Sequence, residues 1–216
     1  MKRRVCLSLH CFRTKYFTEQ LFHSEEGKSI GLSYFKNRDF RNVIEQFQLG
    51  YSPDKWEAFT DVARQNGFKD EFLVKSGLSI KKNERTFDRF SARVIFPIHN
   101  LSGRVIGFGG RILKTEEKKA KYINSPESDI YNKSQVLYGI YFAKNAIIKK
   151  DNCYLVEGYT DVISLFQAGF ENVVASSGTS LTTDQIRLIK RYTPNITILY
   201  IGDEAGLKKL PSAELI

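Results

Sequence analysis

The sequence predicts a mixed α/β protein, α+β overall, in which a helical and β-hairpin amino-terminal subdomain precedes a parallel sheet. Three observations point there. Short helical patterns closed by glycine fill residues 14–80, two β-rich runs flank a turn signal at residues 99–103, and strand-like and helix-like runs alternate from Asp151 onward. In the first region, residues 60–66 end at Gly67 and residues 70–76 at Gly77, and each glycine reads as a helix stop. Asp54, just after Pro53, is placed to cap a helix carrying Trp56 and Phe59 as aromatic core anchors. The charged stretch 81–85 marks a candidate boundary.

Residues 93–98 and 104–113 are β-rich on either side of the turn signal HNLSG, which predicts a β-hairpin. The charged run 114–121 reads as a loop. Beyond Asp151, residues 153–156 form a short apolar run. Val162, Ile163, Leu165 and Phe166 then recur at helical spacing until Gly169. A second strand covers residues 173–175. Thr182 and Gln185 have capping-box spacing at the head of a helix through Arg191, and a third strand covers 196–201. Three strands separated by two helices predict βαβ units and a parallel sheet. By motif the chain divides into a leader, residues 1–13, a subdomain, 14–150, and a sheet domain, 151–216.

The composition is that of an ordinary globular protein. In 216 residues, 42% are hydrophobic and 26% charged, enough for one large domain or two small ones. No run approaches the ~20 apolar residues of a membrane helix. The start, MKRRVCLSLHCF, has a basic region but too short an apolar stretch for a secretory signal. A cytoplasmic protein without a membrane partner is expected. Cys6, Cys11 and Cys153 form no disulfide framework, and the spacing of Cys6, His10, Cys11 and His23 fits no zinc pattern, so scattered thiols are the reading and zinc is not expected. Lys and Arg number 33 against 24 Asp and Glu, a net charge of +9 that suits a polyanionic partner.

Open parallel sheets collect their sites beyond the carboxyl ends of the strands. Glu157 ends the first predicted strand and Asp203 follows the third, so both carboxylates are candidates for one crevice. Hard oxygen ligands of that kind suit Mg²⁺, which neutralises phosphoryl charge and orients an attacking oxygen. Loop-end acids are also common without any role. Asp161, in the first turn of the following helix, reads as a helix-dipole partner. The glycines 107–110 lack a following Lys-Ser/Thr and lie in a hairpin, so close backbone packing is their expected role.

The runs LVEGYTDV (155–162), VVASSGTSLTTDQIRLIKR (173–191) and LYIGDEAG (199–206) resemble the Toprim domain of bacterial DnaG-type DNA primases. DRFSARVIFPIHNLSGRVIGFGGR (88–111) and KYINSPESDIYNKSQVLYGIY (121–141) resemble the amino-terminal subdomain of the same catalytic core. The resemblance spans residues 15–210. It implies that Glu157 matches the family's metal-binding glutamate and Asp203 the second aspartate of its Asp-x-Asp pair, with Mg²⁺ as cofactor. It also implies that Arg111, Lys121 and Lys133 belong to a basic ridge gripping template, with Arg89, Arg93 and Arg104 in the same basic sector. For Arg104 a plain surface charge is an equal reading. Implied partners are single-stranded DNA and ribonucleoside triphosphates, and, in full-length members, a replicative helicase.

The sequence departs from that pattern at several places. Ile201 stands where the first aspartate of the pair is expected, and Ser91 where an arginine is usual. Residues 210–216 no longer resemble the family, and neither the zinc-binding domain before the core nor the helicase-docking domain after it is recognisable. The expectation is a primase core with a truncated Toprim domain and impaired primer synthesis. The alternatives are a non-catalytic remnant that binds single-stranded DNA and, ranked last, a Toprim nuclease or topoisomerase.

Overall fold

A computed structural model of the chain describes residues 2–113, 120–176 and 180–200. These form two compact units, one of Met1–Ile98 and Arg104–Tyr131, the other of His99–Gly103 and Asn132–Ile216. The division therefore falls at residue 131, whereas the motif boundary lies at 150. No helix among the described residues is long and apolar enough to cross a membrane.

In the first unit, helix α1 (Lys2–His23) lies against a four-stranded sheet ordered β1-β4-β5-β6, with β1 at Gly50–Ser52, β4 at Arg93–His99, β5 at Val105–Ile112 and β6 at Tyr122–Asn124. The helix runs without a break through the motif boundary at residue 13. Its buried residues combine Leu9, Phe17 and Leu21 with three polar ones, His10, Arg13 and Thr14. α2 (Ser33–Lys36), α3 (Ala58–Gln65) and α4 (Asp70–Lys75) are short, as the glycine stops require, and Gly67 and Gly77 both take positive φ. The predicted cap of α3 is corrected. Asp54 does not cap it; the carboxylate of Asp88 accepts from the N–H groups of Phe59 at 2.8 Å and Thr60 at 2.9 Å. Phe59 is a core anchor, but Trp56 precedes the helix and is 75% exposed. The charged stretch 81–85 is no boundary either. It is the tip of a hairpin, β2 (Ser79–Lys82) with β3 (Arg85–Asp88), whose turn places Asn83 at φ 54°.

Arg13 occupies an unusual place. Fully buried, it donates to the Leu78 carbonyl, and its guanidinium carbon lies 4.5 Å from the Phe17 ring centroid, 4.3 Å from Phe59 and 5.1 Å from Phe90. Cation–π attraction replaces some of the lost hydration. Nε and Nη2 have no hydrogen-bond partner among the described residues, and burial pulls the pKa down to about 9, which still leaves the group charged at neutral pH. His10 stacks on Phe108 with centroids 5.4 Å apart, and its Nδ1 donates to the Cys6 carbonyl at 2.9 Å. Burial, helped by the Arg13 charge and opposed by the Cys6 bond, lowers the His10 pKa to about 4.

The second unit has the predicted alternation. β7 (Cys153–Val156) is central, with β8 (Val173–Ala175) and β9 (Ile196–Ile198) parallel to it on either side. α6 (Tyr159–Gln167) and α7 (Thr183–Ile189) connect them, and α5 (Ile140–Lys150) packs on β8. Leu155, Val174, Ala143, Ile147 and Ile186 share one apolar cluster. At the amino ends of the strands, Asp151 accepts from Thr193 Oγ1 at 2.8 Å and Asn195 Nδ2 at 3.0 Å, which ties β7 to β9.

Two outcomes follow for stability. Arg13→Met replaces a buried charge by an apolar chain of similar length, so the denaturant midpoint rises, by about 1–3 kcal/mol in unfolding free energy; a lower midpoint would show that the aromatic cage outweighs the burial cost. For His10, the unfolded chain takes up a proton below about pH 6.5 while the folded chain does so only near 4, so stability falls across that window and is insensitive to this group above it. The loss between pH 7 and pH 5 is about 2 kcal/mol larger in the parent than in His10→Phe, measured by urea unfolding at both pH values.

Candidate nucleic-acid face and carboxylate site

β5 and β6 carry the basic candidates of the first unit. Arg111 stands opposite Tyr122 in the antiparallel register, and Ile112 N–H donates to the Lys121 carbonyl at 3.0 Å, so Lys121 comes opposite Ile112, one step along from the Arg111–Tyr122 pair. Lys121 is exposed and Arg111 half-buried. The strands can lie this close to their surroundings because Gly110 has no side chain: a Cβ there would come within 2.7 Å of Phe90 and 3.0 Å of Arg93. Gly107 likewise faces the Tyr131 ring at 3.2 Å, in keeping with a packing role for these glycines.

Arg93 and Arg89 point their charge inward. Arg93 is 5% exposed and donates to the carbonyls of Gly110 at 3.3 Å, Lys121 at 3.2 Å and Ala120 at 3.0 Å. It therefore braces the stretch that enters β6. Arg89 Nε donates to the Gly77 carbonyl at 2.9 Å, and burial lowers its pKa. Arg104 is exposed at the opposite end of β5, roughly 23 Å along the strand from Arg111. Ser91, where an arginine is usual in the resembled family, reaches toward the Pro53 carbonyl at 3.4 Å.

Three residues near Arg111 were not singled out by the sequence. Its Nη1 donates to the hydroxyls of Tyr34 at 2.7 Å and Tyr122 at 3.2 Å, and its guanidinium carbon lies 5.0 Å and 5.5 Å from the two ring centroids. Arg38 lies 5.1 Å from the Tyr34 ring. Burial, then the neighbouring Tyr122, holds the Tyr34 phenol above its usual range against the lowering effect of the two arginines. Tyr34 and Arg38 share i,i+4 spacing, the one local signal that joins any of them. Their meeting with Arg111, over seventy positions later, has no local trace.

In the second unit, Glu157 directly follows β7 and is half-buried at the carboxyl end of the sheet. Asp161 accepts from the Gly158 N–H at 3.0 Å, capping α6 from within its first turn. Ile198 stands opposite Leu155, and Leu199 N–H donates to the Leu155 carbonyl at 2.8 Å, so the chain leaves β9 on the Glu157 side. Asp203 and Ile201 lie outside the described residues. No group of three or more His, Cys, Asp or Glu suited to a metal ion occurs among the described residues. Lys133 begins a single 3₁₀ turn, Lys133–Gln135, pinned by the α7 capping box. Gln185 Nε2 donates to the Lys133 and Val136 carbonyls at 3.0 Å and 2.9 Å, and Thr182 Oγ1 to the Ser134 carbonyl at 2.6 Å.

Comparison with known proteins bears on this arrangement. The family described as DNA primase catalytic core, N-terminal domain, matches residues 16–144, and the Toprim-like family matches residues 154–213. A DNA primase of Halalkalibacterium halodurans is 42% identical over 98% of this chain and 36% of its own length. The chain spans about a third of the length of the curated relatives it matches. The RNA polymerase domain of Mycobacterium tuberculosis primase DnaG superposes with a TM-score of 0.88 at 32% identity, covering 97% of this chain and 70% of that one. A DnaG primase catalytic domain bound to single-stranded DNA gives 0.85 at 36% identity, covering 96% and 66%. The match of the first family to more than half of the residues, with the likeness to a solved primase domain, places this chain in the DNA primase catalytic-core family.

Proposed function

We propose that this chain is the template-gripping and nucleotidyl-transferring core of a DNA primase, weakened at its metal site. Its template would be single-stranded DNA and its substrates ribonucleoside triphosphates. The observation that supports the reading is the placement of Arg111 near the end of β5, half-buried between Tyr34 and Tyr122, with Nη2 unengaged by any described side chain. A cation held there suits a phosphate of a single strand, and the exposed Lys121 is a second cation just before β6. Lys133 joins them by resemblance. Arg89 and Arg93 contribute through the backbone they brace rather than by meeting phosphate directly.

Glu157 and Asp203 would hold a divalent cation, Mg²⁺ by the hardness of their oxygens. Bound there, it supplies charge neutralisation at the phosphoryl group undergoing transfer. Glu157 is well placed for that role because it hangs from the central strand, whose position is set by neighbours on both sides. Ile201, where the family pattern has an aspartate, offers no ligating oxygen, so synthesis is weak. A second reading, a non-catalytic single-strand binder, is favoured by Ile201 standing where the family pattern has a ligating aspartate.

Mg²⁺-dependent ribonucleotide incorporation on single-stranded DNA separates the two. Ile201→Asp raises incorporation by at least tenfold over the parent if the site is a primase centre short of one ligand. Equal activity in both chains overturns the metal-site account. If both are silent yet bind single strands whatever the Mg²⁺ concentration, the binding reading holds. Arg111→Ala weakens single-strand binding about tenfold at low salt and reduces the slope of log affinity against log salt by about 0.7, read by fluorescence anisotropy across a salt series.

A further inference from the structure

Arg111 is held more tightly than a phosphate-binding arginine on a surface strand needs to be. Its guanidinium carbon lies against the rings of both Tyr34 and Tyr122, and one nitrogen, Nη1, donates to both hydroxyls. Nε is buried with no hydrogen-bond partner among the described residues. The two tyrosines come from distant places, α2 and β6, and Tyr122 is 37% exposed. Arg38 at the outer side of the run lies against Tyr34 in turn, giving an alternating series of cation and ring: Arg38, Tyr34, Arg111, Tyr122.

We propose that Tyr34 and Tyr122 are positioning residues that immobilise the Arg111 guanidinium in one orientation, ready for a phosphate of the single strand. The inference rests on the template-gripping reading above. The physical argument is one of preorganisation. A free arginine side chain must give up rotamer freedom to make an oriented contact with phosphate. Ring contacts restrict the plane of the guanidinium, and the paired hydroxyls fix its rotation within that plane. Much of the ordering is then complete before the nucleic acid arrives. Both hydroxyls take their bonds from one nitrogen, Nη1, which leaves Nη2 unengaged by any described side chain. Neither tyrosine needs to touch the strand for this to work.

The test is a double-mutant cycle on the full chain, with single-strand affinity read over a salt series. Tyr34→Leu and Tyr122→Leu each lower affinity about fivefold in the parent and have no further effect in an Arg111→Ala background. Tyr34→Phe, which keeps the ring and loses the hydroxyl, falls between. Thermal midpoints of the variants check that the fold survives, and the ¹⁵N–¹H signal of Arg111 Nε reports its mobility without DNA: ordered in the parent, averaged in Tyr34→Leu. Equal losses in both backgrounds overturn the proposal, since the tyrosines then act on the strand directly or on the fold at large. So does an Arg111 signal equally mobile in parent and variants. If Arg111→Ala binds single strands as tightly as the parent, the template-gripping reading falls, and with it the purpose assigned to the clamp.

Discussion

Inside the first unit, the guanidinium of Arg93 reaches the carbonyls of Gly110, Ala120 and Lys121, joining the end of β5 to the start of β6. A buried arginine carries five donors and tolerates no vacancy without cost, so these carbonyls must stay where it can meet them. The consequence reaches the surface. Lys121 and Tyr122 follow directly on a backbone whose position Arg93 dictates, and Arg111 sits opposite Tyr122 in that register. The strand pair that carries Arg111 and Tyr122 is thus arranged by a second, buried arginine. Gly110 is the other half of the same constraint, because any side chain there would strike Arg93 and Phe90.

The second unit solves its positioning problem with local devices. Asp161 caps its own helix at Gly158, and Thr182 and Gln185 form a reciprocal cap whose spare hydrogen-bonding capacity fastens the Lys133 turn. Parallel strands buried on both faces need little more than apolar runs of the right length. Glu157 then emerges at the carboxyl end of the central strand, where the ends of neighbouring strands converge on it. In the first unit the caps are remote instead. Asp88 serves α3 from nearly thirty residues away, and Arg13 is caged by rings from three different segments.

That contrast explains which expectations held. The strand-helix alternation after Asp151, the β4–β5 hairpin and the Thr182–Gln185 cap all rest on patterns a few residues long and appear in the expected order, though α7 ends at Ile189 rather than Arg191 and β9 covers only Ile196–Ile198 of the expected 196–201. Asp54 and Trp56 were misread because local cap spacing and aromatic character were asked to stand for burial. The N–H groups at the head of α3 accepted a better partner from another strand, and Trp56 was left against Phe87 at the surface. The hairpin at residues 79–88 was hidden by its polar tip, since charged exposed strands resemble loops in composition.

By itself, the sequence determined the order of elements, the parallel character of the second unit, the basic surplus and the motifs that place Glu157, Arg111, Lys121 and Lys133 in a primase core. Those features depend on periodicity, turn chemistry and short runs of residue types. Only the tertiary structure decided which cations face inward and which outward. Arg93 and Arg111 are eighteen positions apart and chemically identical, yet one is bound to carbonyls in the interior and the other to two tyrosine hydroxyls at the face. The difference arises from which partners the packed chain brings within hydrogen-bonding distance, and that depends on contacts between residues far apart in sequence, which no local pattern encodes.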